Sequence, residues 1–397
     1  MIPLSDRINQ LAESETLAMT RKSRELKAQG HDVINLSIGE PDFFTPNNIK
    51  DAAKKAIDEN FTFYPPVNGY AEVRQAISKK LKRDNNLEYS PEQIVISTGA
   101  KHSIMNALLC LINPQDEVVI PTPYWVSYAH MVTFAQGKHV YVETSIENDF
   151  KITPQQLKKA ITANTKLFMF SSPCNPSGSV YTKDELKALA EVFEKHPHVY
   201  IISDEIYELI NFNKNHESIA QFESIKDRVI LINGISKGFA MTGWRLGYMA
   251  AHPELAKASN KLQGQFTSAA CSIAQKAAEE AMETLPQTTW HMLDKFKERR
   301  DLVLNLVKDL PGFKTNVPQG AFYIFPDISS YFGKSNGSQT INNANDFCMY
   351  ILNKVHVALV PGSAFGSPNY IRLSYATSNE LLIEAVDRIK SALVALK

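Results

Sequence analysis

Seven short apolar runs, separated by stretches with helical spacing, constrain the fold more than any other feature of this chain. They are Ile94–Ile96, Val118–Ile120, Val140–Val142, Leu167–Phe170, Val199–Ile202, Val229–Ile232 and Gly247–Ala251. Unbroken apolarity describes strands buried on both faces, and helices between them describe crossover connections. The pattern predicts a mostly parallel, doubly wound α/β sheet in a large domain over residues 46–285.

The flanks read differently. Leu17 to Gln29 has the spacing of a polar amphipathic helix, and Gly39-Glu40-Pro41-Asp42 reads as a rigid turn. Helices are expected over 47–60 and 70–85, with a loop between them. After a long charged helix, Thr288 to Leu310, come the runs 320–325, 357–360 and 370–374. Helices are expected from Asn343 and from Asn379. This predicts a small α+β domain from residues 286–397, joined by an N-terminal arm and segment, 1–45. The Ser/Asn-rich stretch 333–342 reads as a mobile surface loop.

Charge and cysteine usage narrow the function. Lys+Arg and Asp+Glu both total 42, so the formal net charge is zero, which argues against a nucleic-acid partner. Four widely spaced cysteines without a C-x-x-C read as reduced thiols of a cytoplasmic protein. The first residues lack a signal-peptide core, and no apolar run of about 18 residues suggests a membrane span. There is no H-E-x-x-H pair, so no metal is expected. Gly238 to Gly243 has P-loop spacing, but Trp244-Arg245 replaces the Lys-Ser/Thr. No G-x-G-x-x-G follows a strand, which argues against a Rossmann dehydrogenase.

Ligands of open α/β sheets bind beyond the carboxyl ends of the strands. Five runs are followed there by residues with chemistry. They are Gly99-Ala100-Lys101 opening a helix, Trp125, Asn175, Asp204 with Tyr207, and Lys237 with Arg245 eight positions on. Taken singly these read as a helix start, rim packing, a turn, a helix N-cap and two loop cations. Taken together they read as one site. A lysine at a buried strand end loses its proton more easily and can attack a carbonyl. An arginine fork and a helix N-terminus suit a phosphate. A ligand with both an aldehyde and a phosphate is pyridoxal 5'-phosphate. Asp204 could then hold the ring nitrogen protonated, Tyr207 and Asn175 the phenolate oxygen, and Trp125 the ring face. Glycines at 234, 238, 243 and 247 are expected to let the backbone turn and approach the ligand. Arg372, inside the apolar run 370–374, needs a partner. That partner is either an internal carboxylate or the α-carboxylate of a substrate.

On these residues the chain resembles the fold-type I pyridoxal-phosphate aminotransferases of class I/II, most of all their bacterial aspartate aminotransferase branch. The resemblance runs through Gly39-Glu-Pro-Asp-Phe, Tyr64 with Gly69, Gly99-Ala-Lys101, Pro123-Tyr-Trp-Val-Ser-Tyr128 and Asn175-Pro-Ser-Gly. It continues through Ser203-Asp-Glu-Ile-Tyr207, Lys237 to Tyr248, Gly320-Ala-Phe-Tyr323 and Arg372 to Ala376. It implies Lys237, Asp204 and Tyr207 as catalytic groups. It implies Gly99, Ala100, Lys101 and Arg245 around the phosphate, with Trp125 and Asn175 on the ring. Tyr64 would reach in from a second subunit of a homodimer with shared sites. Gly39, Lys101, Trp125, Asn175 and Arg372 would contact the amino acid, Lys101 through the distal carboxylate. The implied reaction is ping-pong transfer of an amino group from aspartate or glutamate to 2-oxoglutarate or oxaloacetate. An aromatic or broad-range aminotransferase and a non-catalytic regulator are the alternatives. Gly234 stands where some relatives have a phosphate-binding serine. Ala12 stands where prephenate-accepting relatives have lysine.

Overall fold

The computed structural model describes residues 2–12 and 15–397. The chain enters through the helix Glu15–Ala28 and a two-residue strand, β1 (Ile34–Asn35). The seven apolar runs then become β2 (Ile94–Ser97), β3 (Glu117–Thr122), β4 (Lys138–Glu143), β5 (Thr165–Ser171), β6 (Tyr200–Asp204), β7 (Val229–Gly234) and β8 (Gly247–Ala250). Among the described residues these form one sheet in the order β2-β8-β7-β6-β5-β3-β4. Strands β4, β3, β5, β6 and β7 are parallel, whereas β8 is antiparallel to both its neighbours. The β7–β8 connection explains this. It spends residues 235–246 on turns and one short 3-10 segment, with no crossover helix to carry the chain back.

Side-chain parity shows why unbroken apolarity was needed. Ile94, Ile96, Val229 and Leu231 pack on one face of the sheet, in a core with the helices Asn47–Asp58, Ala71–Asn85, Lys183–Glu194 and Ser272–Glu283. Val95, Ile230 and Ile232 pack on the other, with the helices Ala100–Leu111, Ser127–Phe134 and Pro253–Phe266. The helix Lys183–Glu194 illustrates the local logic. Thr182 caps it in a box with Glu185, and Leu186, Leu189, Ala190 and Phe193 form its buried stripe. Full burial of such a large apolar side chain stabilises by roughly 1.5–3 kcal/mol. Strand β4 departs from the expectation of burial on both faces. It is a sheet edge with no buried position, and Tyr141 is 47% exposed.

The remaining strands are β9 (Tyr323–Ile324), β10 (Val357–Ala358), β11 (Val360–Pro361) and β12 (Ile371–Ser374). β12 lies antiparallel between β11 and β9, and β1 pairs in parallel with β10. A separate apolar core joins Val33, Ile34 and Leu36 to Phe296 and Val303 of the helix Trp290–Lys308, and to Leu382 and Ile389 of Asn379–Leu393. The 333–342 stretch is a tied hairpin rather than a loose loop. Ser335 exchanges backbone hydrogen bonds with Lys397 at 3.0 Å, and Asn336 Oδ1 accepts from the Ser338 and Gln339 amides. No helix among the described residues is long and apolar enough to cross a membrane.

Candidate active site

A cavity of about 530 Å³ opens where β3, β5, β6 and β7 end and the helix Ala100–Leu111 begins. Ala100, Lys101, Trp125, Asn175, Asp204 and Tyr207 line it, as do Lys237, Arg245, Arg372 and Gly39. The strand ends predicted to share one mouth therefore do so. Tyr64 stands apart: its side chain is 96% exposed and does not line this cavity.

Lys237 follows β7 on the turn 235–241, half-buried at the cavity wall. Its Nζ donates to the Gly39 carbonyl at 2.6 Å. Loss of water pushes its pKa down to about 8; Glu40 and Asp204 pull against this, while Arg372 and Arg245 reinforce it. A lysine in that range supplies a neutral, nucleophilic amine near neutral pH.

Asp204 is the last residue of β6, a strand end and not a helix N-cap. It is buried, and Tyr128 donates to its Oδ2 at 2.7 Å while the Ile206 amide donates to Oδ1 at 3.3 Å. Burial pushes its pKa up to about 6, against these two hydrogen bonds. The carboxyl thus becomes anionic only in the presence of a neighbouring positive charge or above that pH.

Arg245 and the start of the helix Ala100–Leu111 also line the cavity, a pairing that suits an anion. Gly99 has φ +89°, and a Cβ there would stand 2.5 Å from Arg245 Nη2, so only glycine admits the guanidinium. The first amides of the helix Ala100–Leu111 have no intrahelical acceptor. The other glycines of the Lys237 turn serve packing more than ligand approach. A Cβ at Gly247 would meet the Ala100 nitrogen at 2.2 Å, while Gly243 has open space around it.

Arg372 is buried in β12. Its Nη1 donates to Asn175 Oδ1 at 3.0 Å and its Nη2 to the Ser37 carbonyl at 2.6 Å, while Nε is buried without a partner. No carboxylate among the described residues pairs with it. The Tyr323 ring lies beneath the guanidinium, 4.5 Å away. Lys101 is solvent-exposed at the mouth, with Nζ 4.9 Å from the Trp125 ring centre. The walls still strip part of its water and, with Arg245 beside it, lower its pKa.

Several functional neighbours had no role assigned from the sequence. Tyr128 lies one helical turn beyond Trp125, a spacing that could have flagged it. Tyr323 shares a hydrogen bond with Tyr207 at 2.8 Å between their hydroxyls. Thr20 and Arg24 of the first long helix also line the cavity, brought there by packing that no local pattern announces.

The strand ends of an α/β sheet thus gather a lysine of lowered pKa and a buried carboxyl around one cavity, the arrangement of an enzyme site. Comparison with known proteins sharpens this. The family described as aminotransferase class I and II matches residues 31–389. An aspartate/prephenate aminotransferase of Cereibacter sphaeroides is 47% identical, and an aspartate aminotransferase of Bacillus subtilis 46%, each alignment covering 98% of both chains. Among solved structures, the aspartate aminotransferase of Rhizobium meliloti superposes with a TM-score of 0.96 at 39% identity, covering 100% of both chains. That of Thermus thermophilus with maleate gives 0.92 at 37% identity, covering 99% of this chain and 100% of that one. The chain belongs to the class I and II aminotransferase family and has its fold-type I architecture.

Proposed function

We propose that the protein is a pyridoxal 5'-phosphate-dependent aspartate aminotransferase. It would move the amino group of aspartate or glutamate to 2-oxoglutarate or oxaloacetate in two alternating half-reactions. One observation carries the reading: Arg372 is a buried guanidinium with no carboxylate partner among the described residues, in the same cavity as Lys237. A buried cation in this state is matched to an anionic ligand, here the substrate α-carboxylate.

The donor set fits the cofactor. The Gly99 cradle, the helix start at Ala100 and Arg245 would hold its phosphate. Asp204 would face the ring nitrogen, and Trp125 the ring. Arg372 takes the Asn175 carbonyl oxygen, which leaves Asn175 Nδ2 to donate, with Tyr207, to the phenolic oxygen. When bound, pyridoxal phosphate supplies an aldehyde for Lys237 and a protonated ring that withdraws electrons from the substrate Cα. Lys237 would take the Cα proton as general base and return a proton as general acid. Ionised Asp204 keeps the ring proton in place while charge develops.

Lys101 is the group for the distal carboxylate of a dicarboxylic substrate. The presence of maleate, a dicarboxylate, with the Thermus relative supports this. Ala12 offers no cation where prephenate-accepting relatives have one, so prephenate is not part of the proposal. Phe44, Phe63 and Tyr64 are 90%, 81% and 96% exposed, an apolar surface suited to a second copy of the chain. Tyr64 would then complete the partner's phosphate site. The separate core of 286–397 with the N-terminal segment supports a two-part division at about residues 46 and 285. Four free cysteines are compatible with a cytoplasmic setting.

Initial rates over a panel of amino donors test the proposal, with 2-oxoglutarate as acceptor and the cofactor loaded. Aspartate is expected to give a higher kcat/KM than phenylalanine or tyrosine. Transfer from aromatic donors with none from aspartate would contradict it.

A further inference from the structure

The turn that follows β6 has two faces. Asp204 and Tyr207 line the cavity. Glu205 and Glu208, one position further on in each case, turn away into a buried cluster of charge. Glu205 Oε1 accepts from Ser203 Oγ at 2.8 Å and Ser218 Oγ at 2.6 Å, and its Oε2 pairs with His216 Nε2 at 2.9 Å. Glu208 pairs with Lys80 through Oε1 and accepts from Asn85 Nδ2 at 3.0 Å through Oε2. Lys80 also donates to Asn85 Oδ1 at 2.8 Å. The side chains of Lys80, Glu205, Glu208 and His216 are each at most 7% exposed.

The acceptor atoms of Glu205, Glu208 and His216 lie within 4.8 Å of one another. Two buried carboxylates this close repel unless two cations answer them. Lys80 is one. His216 is the other only when its ring is protonated. Burial opposes that charge, but the Glu205 carboxylate and hydrogen bond, with Glu208 behind, outweigh it and raise the imidazole pKa. Other titratable groups facing the cluster include the phenols of Tyr89 and Tyr248, and the guanidinium of Arg83 with its partner Asp84. On the cavity side Asp204 faces Tyr128 and Lys237, and the Glu205 charge pushes its pKa upward.

We propose that Lys80, Glu205, Glu208 and His216 form a charge-neutral buried quartet that fixes the Asp204–Tyr207 turn and shields Asp204 from the carboxylates behind it. Glu205 and His216 are therefore positioning residues for the reaction. The inference rests on the reading of Asp204 as the partner of the cofactor ring.

The test is a pH titration of the visible absorbance of the pyridoxal-phosphate-loaded protein, alongside melting of the cofactor-free form. His216→Gln keeps a donor toward Glu205 but leaves the cluster one negative charge in excess. It is expected to raise the absorbance midpoint by about half a pH unit or more. Glu205→Gln removes the carboxylate that holds the His216 proton, so His216 is expected to become neutral and the midpoint to move less than in His216→Gln. The double variant restores neutrality and is expected to return the midpoint toward that of wild type. Lys80→Gln, which removes the other cation from outside the β6 turn, is expected to act like His216→Gln, while Lys80→Arg leaves the midpoint in place. A loaded wild type with midpoints unmoved in His216→Gln and Lys80→Gln would overturn the shielding role, even if melting fell in both. A wild type that binds no pyridoxal phosphate would instead overturn the cofactor reading, and with it the role given to the quartet.

Discussion

Tyr128 donates its hydroxyl hydrogen to Asp204 at 2.7 Å, from a helix that begins two residues after Trp125. The pair joins the end of β6 to the element that supplies the cavity's aromatic wall. It stabilises the anionic carboxyl in a setting where burial works against it. In the cofactor-free protein burial still wins.

Asp204→Asn should therefore separate stability from turnover. The carboxyl pKa is raised from 3.8 to about 6 in the folded protein. Stability from the neutral form is fully present below pH 3.8 and is lost as pH rises through 6. Above that, the ionised carboxyl costs the cofactor-free protein up to roughly 3 kcal/mol. The variant should melt higher than wild type at pH 7–8 without cofactor, with the difference vanishing towards pH 4. Its turnover should fall far more than its cofactor retention. A lower melting temperature at neutral pH would count against the raised pKa.

Arg372→Gln should weaken every substrate alike, because the α-carboxylate is common to all of them. Two charge-assisted hydrogen bonds at about 1.5–3 kcal/mol each imply a loss in kcat/KM of roughly a hundred- to ten-thousandfold. Equal losses for aspartate and phenylalanine are expected. A loss confined to aspartate would make Arg372 the side-chain reader instead.

Lys101→Ser should do the opposite. One charge-assisted hydrogen bond to the distal carboxylate implies a roughly ten- to hundredfold fall in kcat/KM for aspartate. Rates with phenylalanine or tyrosine should hold or rise. Parallel losses would show that Lys101 serves the phosphate cradle or the fold.

What the sequence disclosed follows physical rules of range. Lys237, Asp204, Asn175 and Trp125 were legible because each stands at the end of a buried strand or in the Gly/Pro- or Ser-bounded turn that follows it. Sheet topology then brings strand ends together without further information. Arg372 was legible as a charge inside an apolar run. The roles of Tyr323, Thr20 and Arg24 were not, since their places depend on how β9 and the first helix pack across the cavity. The partnership of Lys80 with Glu208 joins residues 128 positions apart, beyond any local pattern. The reversal of β8 was hidden for another reason: an apolar run states burial, not direction. The tie between Ser335 and Lys397 was hidden because polar composition alone describes a loop and says nothing of what it is bonded to.

Lys237 as the residue that holds the cofactor is open to a direct measurement. The purified protein is loaded with pyridoxal 5'-phosphate, reduced with borohydride, digested and mapped by mass spectrometry. The account predicts one modified peptide, carrying the pyridoxyl mass on Lys237, and its loss together with turnover in Lys237→Ala. Modification at another lysine, or unchanged turnover in Lys237→Ala, would contradict it.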